Sequence, residues 1–190
     1  MAHKGLTKDL ILQEAYLQVE ERGFEHFSLR ELAVRLGVRP ASLYNHISGV
    51  EEITAAVADL ASERLCTVLR EATVGREPDD AFRSGAWAYR RFADEHPEIY
   101  QALIHMPSSD DERLVRASFA SYAPLRALVR SYGKTDAATL HFLRSFRAVM
   151  HGFVELTANG FMVRGPASRD ETYSIIVEHL LNTLKGLPDA

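Results

Sequence analysis

Apolar residues recur at helical spacing along almost the whole chain, and no stretch alternates apolar and polar positions as a half-buried strand would. Thr7 can cap a first helix in which Ile11, Leu12, Ala15, Tyr16 and Val19 share one face. Leu29, Leu32, Ala33 and Leu36 stripe a short second helix, and a third runs roughly from Pro40 to Ile47. Ser48 and Glu51 read as a capping box for a long fourth helix to about Thr73, with Ile53, Val57, Ala61, Leu65 and Leu69 inward. Gly75-Arg76-Glu77-Pro78 breaks it. A fifth helix, capped by Asp79 or Asp80, reaches about Glu95, and Pro97 opens a sixth through His105. A seventh is expected from Asp110 to Tyr132, kinked or split by Pro124. Thr135 caps an eighth that Gly160 ends, and Ser168 with Glu171 starts a last helix closed by Gly186. The fold expected is all-α, about nine helices, with no repeat and no low-complexity segment.

Residues 28–47 carry the densest punctuation. Ser28 and Glu31 form an S-x-x-E capping box, Gly37 stands where a tight turn needs positive φ, and Pro40 sits at a first helical position. Ala33 is small where two helices must cross, and Leu43 is apolar where the second packs back. That second helix has little to bury and presents Arg39, Ala41, Ser42, Tyr44, Asn45 and His46, with Arg30 and Arg35 nearby. Hydroxyl, amide and guanidinium groups on such a helix suit base edges and phosphates in a DNA major groove. The alternative is an inert helical hairpin within an all-α core.

With Glu21-Arg22-Gly23-Phe24, then S-L-R-E-L-A, G-V and S-L-Y-N-H, residues 7–60 resemble the N-terminal DNA-binding domain of the TetR family of transcriptional regulators. Leu43 to His46, the L-Y-x-H core, is the most specific part. The resemblance implies phosphate contacts from Tyr44 and His46, with Ser28 beside them, and base readout from Arg39, Ala41, Ser42 and Asn45. Ile47 replaces the usual aromatic, and Ser48-Gly49-Val50-Glu51 lacks the usual lysine, which leaves backbone N–H groups at that helix start to meet phosphate. The stretch R-R-F-A-D-E-H-P-E-I-Y at 90–100 and His-Gly-Phe at 151–153 resemble one C-terminal subgroup named for a Trp/His/Gly motif, although Phe146-Arg147 stands where the tryptophan is sought. The domains implied are 1–50, with a connector helix over 49–73, and 75–190 for ligand binding and dimerisation.

Charge qualifies the picture. The net charge of −4 lies wholly beyond residue 50, since residues 1–50 hold six Lys/Arg against six Asp/Glu. Non-specific DNA affinity should therefore be modest, and specificity should rest on placed contacts and dimer geometry. The single cysteine, Cys66, reads as a buried structural thiol on a core face rather than a nucleophile. No apolar run reaches the ~18 residues of a membrane span, and the first nine residues lack a signal-peptide core, so a cytoplasmic protein is expected.

From residue 75 onward no reactive constellation stands out: no G-x-S-x-G, phosphate loop or dinucleotide fingerprint, and no H-x-x-x-H pair. No enzyme, cofactor or metal is expected. His151 and Glu155, four apart, could hold a metal or form a hydrogen-bonding pair. Trp87, Tyr100, Phe119, Tyr122, Phe146 and Met150 fall on helices five to eight as candidates for an apolar pocket, with His151 as its polar anchor. Gly152, in mid-helix, suggests close approach of a helix or ligand. The last two helices are the dimerisation candidates, with Ile175, Ile176, His179, Leu180, Thr183 and Leu184 on one side. The function expected is a homodimeric regulator, a repressor of a palindromic double-stranded DNA operator, released by a small, mostly apolar effector. The open alternative is a DNA-binding regulator without such an effector, whose C-terminal domain only dimerises or recruits a protein.

Overall fold

The computed structural model describes residues 5–104, 122–162 and 165–188. Among these residues it holds nine α-helices and no strand. They are α1 (Lys8–Arg22), α2 (Leu29–Arg35), α3 (Pro40–Leu43), α4 (Val50–Thr73), α5 (Pro78–Glu95), α6 (Pro97–Ile104), α7 (Ala123–Ser131), α8 (Asp136–Ala158) and α9 (Arg169–Gly186). A 3-10 turn, Phe24–His26, follows α1. The chain is all-α, as its periodicity predicts.

Capping chemistry sets most boundaries. Thr7, Thr135 and Ser168 each accept a backbone N–H at their helix start, and Ser168 with Glu171 completes a reciprocal capping box. The two boxes expected earlier in the chain form differently. Ser28 accepts the Glu31 N–H at 3.4 Å, but the Glu31 carboxylate turns to Arg22 at 3.0 Å. At α4 the partner of Ser48 is Glu52 rather than Glu51, since Glu52 accepts both the Ser48 N–H (2.6 Å) and its hydroxyl (2.8 Å). Pro78 opens α5 instead of ending the break before it. Pro124 stands in the first turn of α7 and begins a helix rather than kinking one, and residues 110–121 of the expected seventh helix lie outside the described residues.

Two compact units emerge, and neither is continuous in sequence. The first holds residues 1–64 and 95–121, the second 65–94 and 122–190. This division differs from the expected boundary between residues 50 and 75. The reason is α6, which packs on α1 within the first unit and ties to it through His96 Nδ1 and Glu20 Oε1, 2.8 Å apart. Helix α4 belongs to the first unit at its start and to the second at its end.

In the first unit Ile11, Ala15, Tyr16 and Val19 of α1 are buried with Leu32, Ala33 and Leu43. Gly23 ends α1 at φ 78°, a conformation costly for any residue with a Cβ, and its N–H closes on the Val19 carbonyl at 2.7 Å. In the second unit α5 buries a broad face that includes Phe82, Gly85, Ala86, Tyr89 and Phe92. The core of α8 comprises Phe142, Phe146, Met150 and Phe153. On α9 the buried stripe is Tyr173, Val177, Leu180, Leu181 and Leu184.

Candidate nucleic-acid interface and ligand cavity

The turn between α2 and α3 is built by Gly37, at φ 68°, with the Val38 N–H returned to the Ala33 carbonyl at 2.9 Å. Arg39 is extended, Pro40 opens α3, and the α-helix ends at Leu43, with turn hydrogen bonds carrying the chain through Tyr44 to His46. The expected helix to Ile47 is thus one helical turn and a continuing tight turn. Leu43 and Ile47, at 0% and 3% exposure, anchor this segment from beneath. An aliphatic side chain therefore fills the position where the sequence pattern sought an aromatic.

The opposite face is polar and open. Arg39, Ala41, Tyr44 and Asn45 are exposed, Tyr44 to 57%, while Ser42 and His46 are half-buried. Ser28 is committed to capping α2, which uses its oxygen as acceptor and leaves the hydroxyl proton to donate outward.

Ion pairing decides which cations remain for an anionic partner. Arg35 bonds Glu14 at 2.6 Å and Glu21 at 2.9 Å, so it locks α2 to α1 and is not a surface cation as its sequence position suggests. Lys8 pairs with Glu52, and Arg22 with Glu31. Among the described residues of the first 50, Arg30 and Arg39 have no carboxylate partner and are exposed. Arg30 was not among the expected contact residues, because sequence alone does not separate it from Arg35. The Glu52 carboxyl is held down to about 2, first by the Lys8 ammonium and then by the Ser48 N–H and hydroxyl. That carboxylate takes the Ser48 N–H, one of the groups expected to meet phosphate, and only the N–H groups after it stay eligible.

The expected ligand residues divide. Tyr122, Phe146 and His151 meet around Tyr89, which sequence reasoning did not single out. The Tyr89 hydroxyl lies 3.3 Å from that of Tyr122 and 3.4 Å from the His151 ring nitrogens, and its ring stands edge-on to Phe146 at 5.9 Å. Arg147 Nε donates to His151 Nε2 at 3.0 Å. Nε2 is therefore the acceptor, which assigns the proton to Nδ1, facing the Tyr89 oxygen. Burial, reinforced by the Arg147 charge, pushes His151 down to about 4, so the ring is neutral at physiological pH.

Trp87 and Met150 belong to a different cluster. Trp87 stacks edge-on to Tyr173 at 4.9 Å, and the Tyr173 hydroxyl donates to the Ala86 carbonyl at 2.5 Å with the Met150 sulfur 3.0 Å away. The guanidinium of Arg90, only 5% exposed, lies 4.9–5.2 Å from the ring centres of Trp87, Phe153 and Tyr173. It also pairs with Asp170 at 2.8 Å and Asp94 at 3.4 Å. Tyr100 is buried in the first unit, on α6, and Phe119 lies outside the described residues. Within the second unit the described candidates therefore meet different neighbours, Tyr122 and Phe146 at Tyr89 and Trp87 and Met150 at Tyr173: periodicity shows that a residue is buried, not which neighbours it meets. Among the described residues no group of three His, Cys, Asp or Glu is placed to hold a metal, and the His151 ring is engaged by Arg147 and Tyr89.

Residues 82–180 match the family described as Tetracyclin repressor-like, C-terminal domain. An uncharacterized HTH-type transcriptional regulator of Mycobacterium tuberculosis is 32% identical over 83% of this chain and 72% of its own length. Among solved structures, a Rhodococcus protein of unknown function superimposes with a TM-score of 0.78 at 25% identity, over 97% of both chains. BioQ with its double-stranded DNA operator gives 0.68 at 19% identity, over 95% of this chain and 99% of that one. ActR of Streptomyces coelicolor in complex with (S)-DNPA gives 0.70 at 19% identity, over 98% and 99%. With the turn-and-helix surface at one end of the sequence and a matching C-terminal domain over the other, the chain belongs to the TetR family of transcriptional regulators and is not an enzyme.

Proposed function

We propose that this protein is a cytoplasmic, homodimeric repressor that binds a palindromic operator through α3 and leaves it when a small, mostly apolar effector binds the second unit. The observation that carries the DNA-binding part is the split of residues 39–47, α3 and the turn after it, into a buried pair, Leu43 and Ile47, and an exposed set, Arg39, Ala41, Tyr44 and Asn45. In this reading Tyr44, His46, Arg30 and the Ser28 hydroxyl hold phosphates, and Arg39, Ala41, Ser42 and Asn45 face base edges. BioQ, with a similar fold, is seen with a DNA operator, and ActR with a small ligand.

Dimerisation rests on α8 and α9. Leu180 and Leu184 are buried within the chain itself, at 8% and 0% exposure, so they are core residues rather than partner contacts. Val149 (37%), Leu156 (43%) and Ile175 (57%) are the large apolar residues these helices leave at the surface. A Cβ on Gly152 would meet nothing within 4 Å, so the close approach its sequence position suggests is not made inside the described chain. A second copy supplies it in this reading, and two-fold pairing spaces the reading helices by about one DNA turn, ~34 Å, or somewhat more.

The effector is uncharged or weakly anionic and engages the Tyr89–Tyr122–His151 group, where neutral His151 and two hydroxyls offer hydrogen bonds beside Phe146. One observation favours the reading without an effector: Phe146 and Met150 are almost wholly buried by the protein's own side chains. The deciding experiment is a gel shift on inverted repeats near the encoding gene, followed by release with a metabolite extract. Specific binding that the extract weakens supports the whole reading. Binding that no extract changes supports the regulator without an effector, and absence of binding to any inverted repeat overturns both.

A further inference from the structure

A groove of about 560 Å³ lies in the second unit where the end of α4, the start of α5 and α7 meet. Its size falls within the roughly 300–1,000 Å³ of small-molecule sites. None of the residues expected to bind a ligand lines it. Gly85 makes the junction close: a Cβ there would stand 3.1 Å from Thr73 Cγ2 of α4 and 3.2 Å from Leu125 Cδ2 of α7.

The lining is mainly apolar, with Pro78, Ala127 and Leu128 among it, and Cys66 of α4 faces in, half-buried rather than in the core as its helical position suggests. Its hydroxyls are already engaged: Thr73 donates to the Leu69 carbonyl at 2.9 Å and Ser131 to the Leu128 carbonyl at 2.7 Å. The spare polar capacity is cationic. Among the described residues, Arg70 and Arg76 line the groove, no carboxylate does, and neither arginine has a carboxylate partner. Each uses one N–H inside the chain, Arg70 to Thr67 Oγ1 and Arg76 to the Ala72 carbonyl, and keeps the rest of its fork. An apolar trough with two unpaired guanidinium groups and no acid complements one chemistry. We propose that this groove binds an amphipathic monoanion, with an apolar chain or ring system against α5 and α7 and a carboxylate held by Arg70 and Arg76. The site is separate from the Tyr89–Tyr122–His151 group and does not depend on it.

The chain has a single cysteine, so alkylation of Cys66 reports occupancy of the groove alone. With decanoate as probe on the full-length protein, iodoacetamide labelling of Cys66 should slow about tenfold or more at saturation. In the Arg70→Gln/Arg76→Gln double variant, half-protection should need at least ~10-fold more decanoate, the loss expected of a charge-assisted hydrogen bond, whereas protection by neutral decanol should be unchanged. If the double variant is unstable, Arg76→Gln alone gives the same comparison, since that side chain is exposed. The His151→Ala variant should keep the wild-type protection. No slowing by millimolar decanoate, equal protection of wild type and arginine variants, or loss of protection in His151→Ala would each overturn the site.

Discussion

At the scale of single residues, burial and ion pairing separate side chains that look alike in sequence. Arg30, Arg35 and Arg39 carry the same guanidinium group, yet Arg35 is spent on Glu14 and Glu21. Replacing Arg35 with alanine should lower thermal stability by ~1 kcal/mol, the upper end for part-exposed pairs, and Arg30→Ala should leave the melting curve unchanged. Salt titrations of operator binding should show the reverse, with a shallower slope for Arg30→Ala. Alanine at both Tyr44 and His46 should weaken binding similarly across related operators without loss of helicity, and undiminished affinity would remove them from the phosphate-holding role. His151 gives a pH prediction. Its folded value, about 4, lies below the ordinary 6.5, so between those values the unfolded chain takes up more protons than the folded one. The stabilisation from neutral His151 is complete above pH 6.5 and is lost as pH falls toward 4. Melting temperatures of His151→Phe should therefore fall less steeply than wild type across that window. The sequence singles out His151 by residue type, but not its contact with Tyr89, because that contact joins helices 62 positions apart.

Elements were more legible than their partners. Caps at Thr7, Thr135 and Ser168, the glycine turn at Gly37 and the proline start at Pro40 are local chemistry, and each forms where the sequence puts it. The Ser48 cap went to Glu52 because Lys8, 44 residues away, joins the same carboxylate, a term invisible to a local pattern. The packing of α6 on α1 is likewise non-local. The two mid-helix glycines give a contrasting test. Gly152→Ala should stabilise the isolated chain by up to ~1 kcal/mol, since alanine is the better helix former and the space is open. Gly85→Val should destabilise it, because its larger side chain meets Thr73 and Leu125. Denaturant titration of both variants at monomeric concentration checks the pair. For dimerisation, aspartate at Ile175 or Leu156 should shift light scattering toward the monomer while circular dichroism stays native; a dimer that survives both substitutions would move the interface elsewhere.

For the whole molecule, the sequence order and the packing order differ. Family membership and the all-α class follow from motifs and periodicity, but the division into units does not, since the chain contributes two separated stretches to each. This has a consequence for anyone who wishes to excise the DNA-reading part. A fragment cut after α4 would keep α1 to α3 intact in sequence and yet lose Ile99, Tyr100 and Leu103 of α6, all buried against their surroundings in the full protein. Such a fragment should expose the side of α1 that α6 covers and lose the His96 contact to Glu20. Its amide protons along α1 should exchange faster than in the full chain. Equal protection would show that the reader is an autonomous module. On the packing seen here, it is one part of a unit that becomes whole only when the polypeptide comes back to it, after the 30 residues 65–94, which makes the order of synthesis matter: the part made first waits for the part made after.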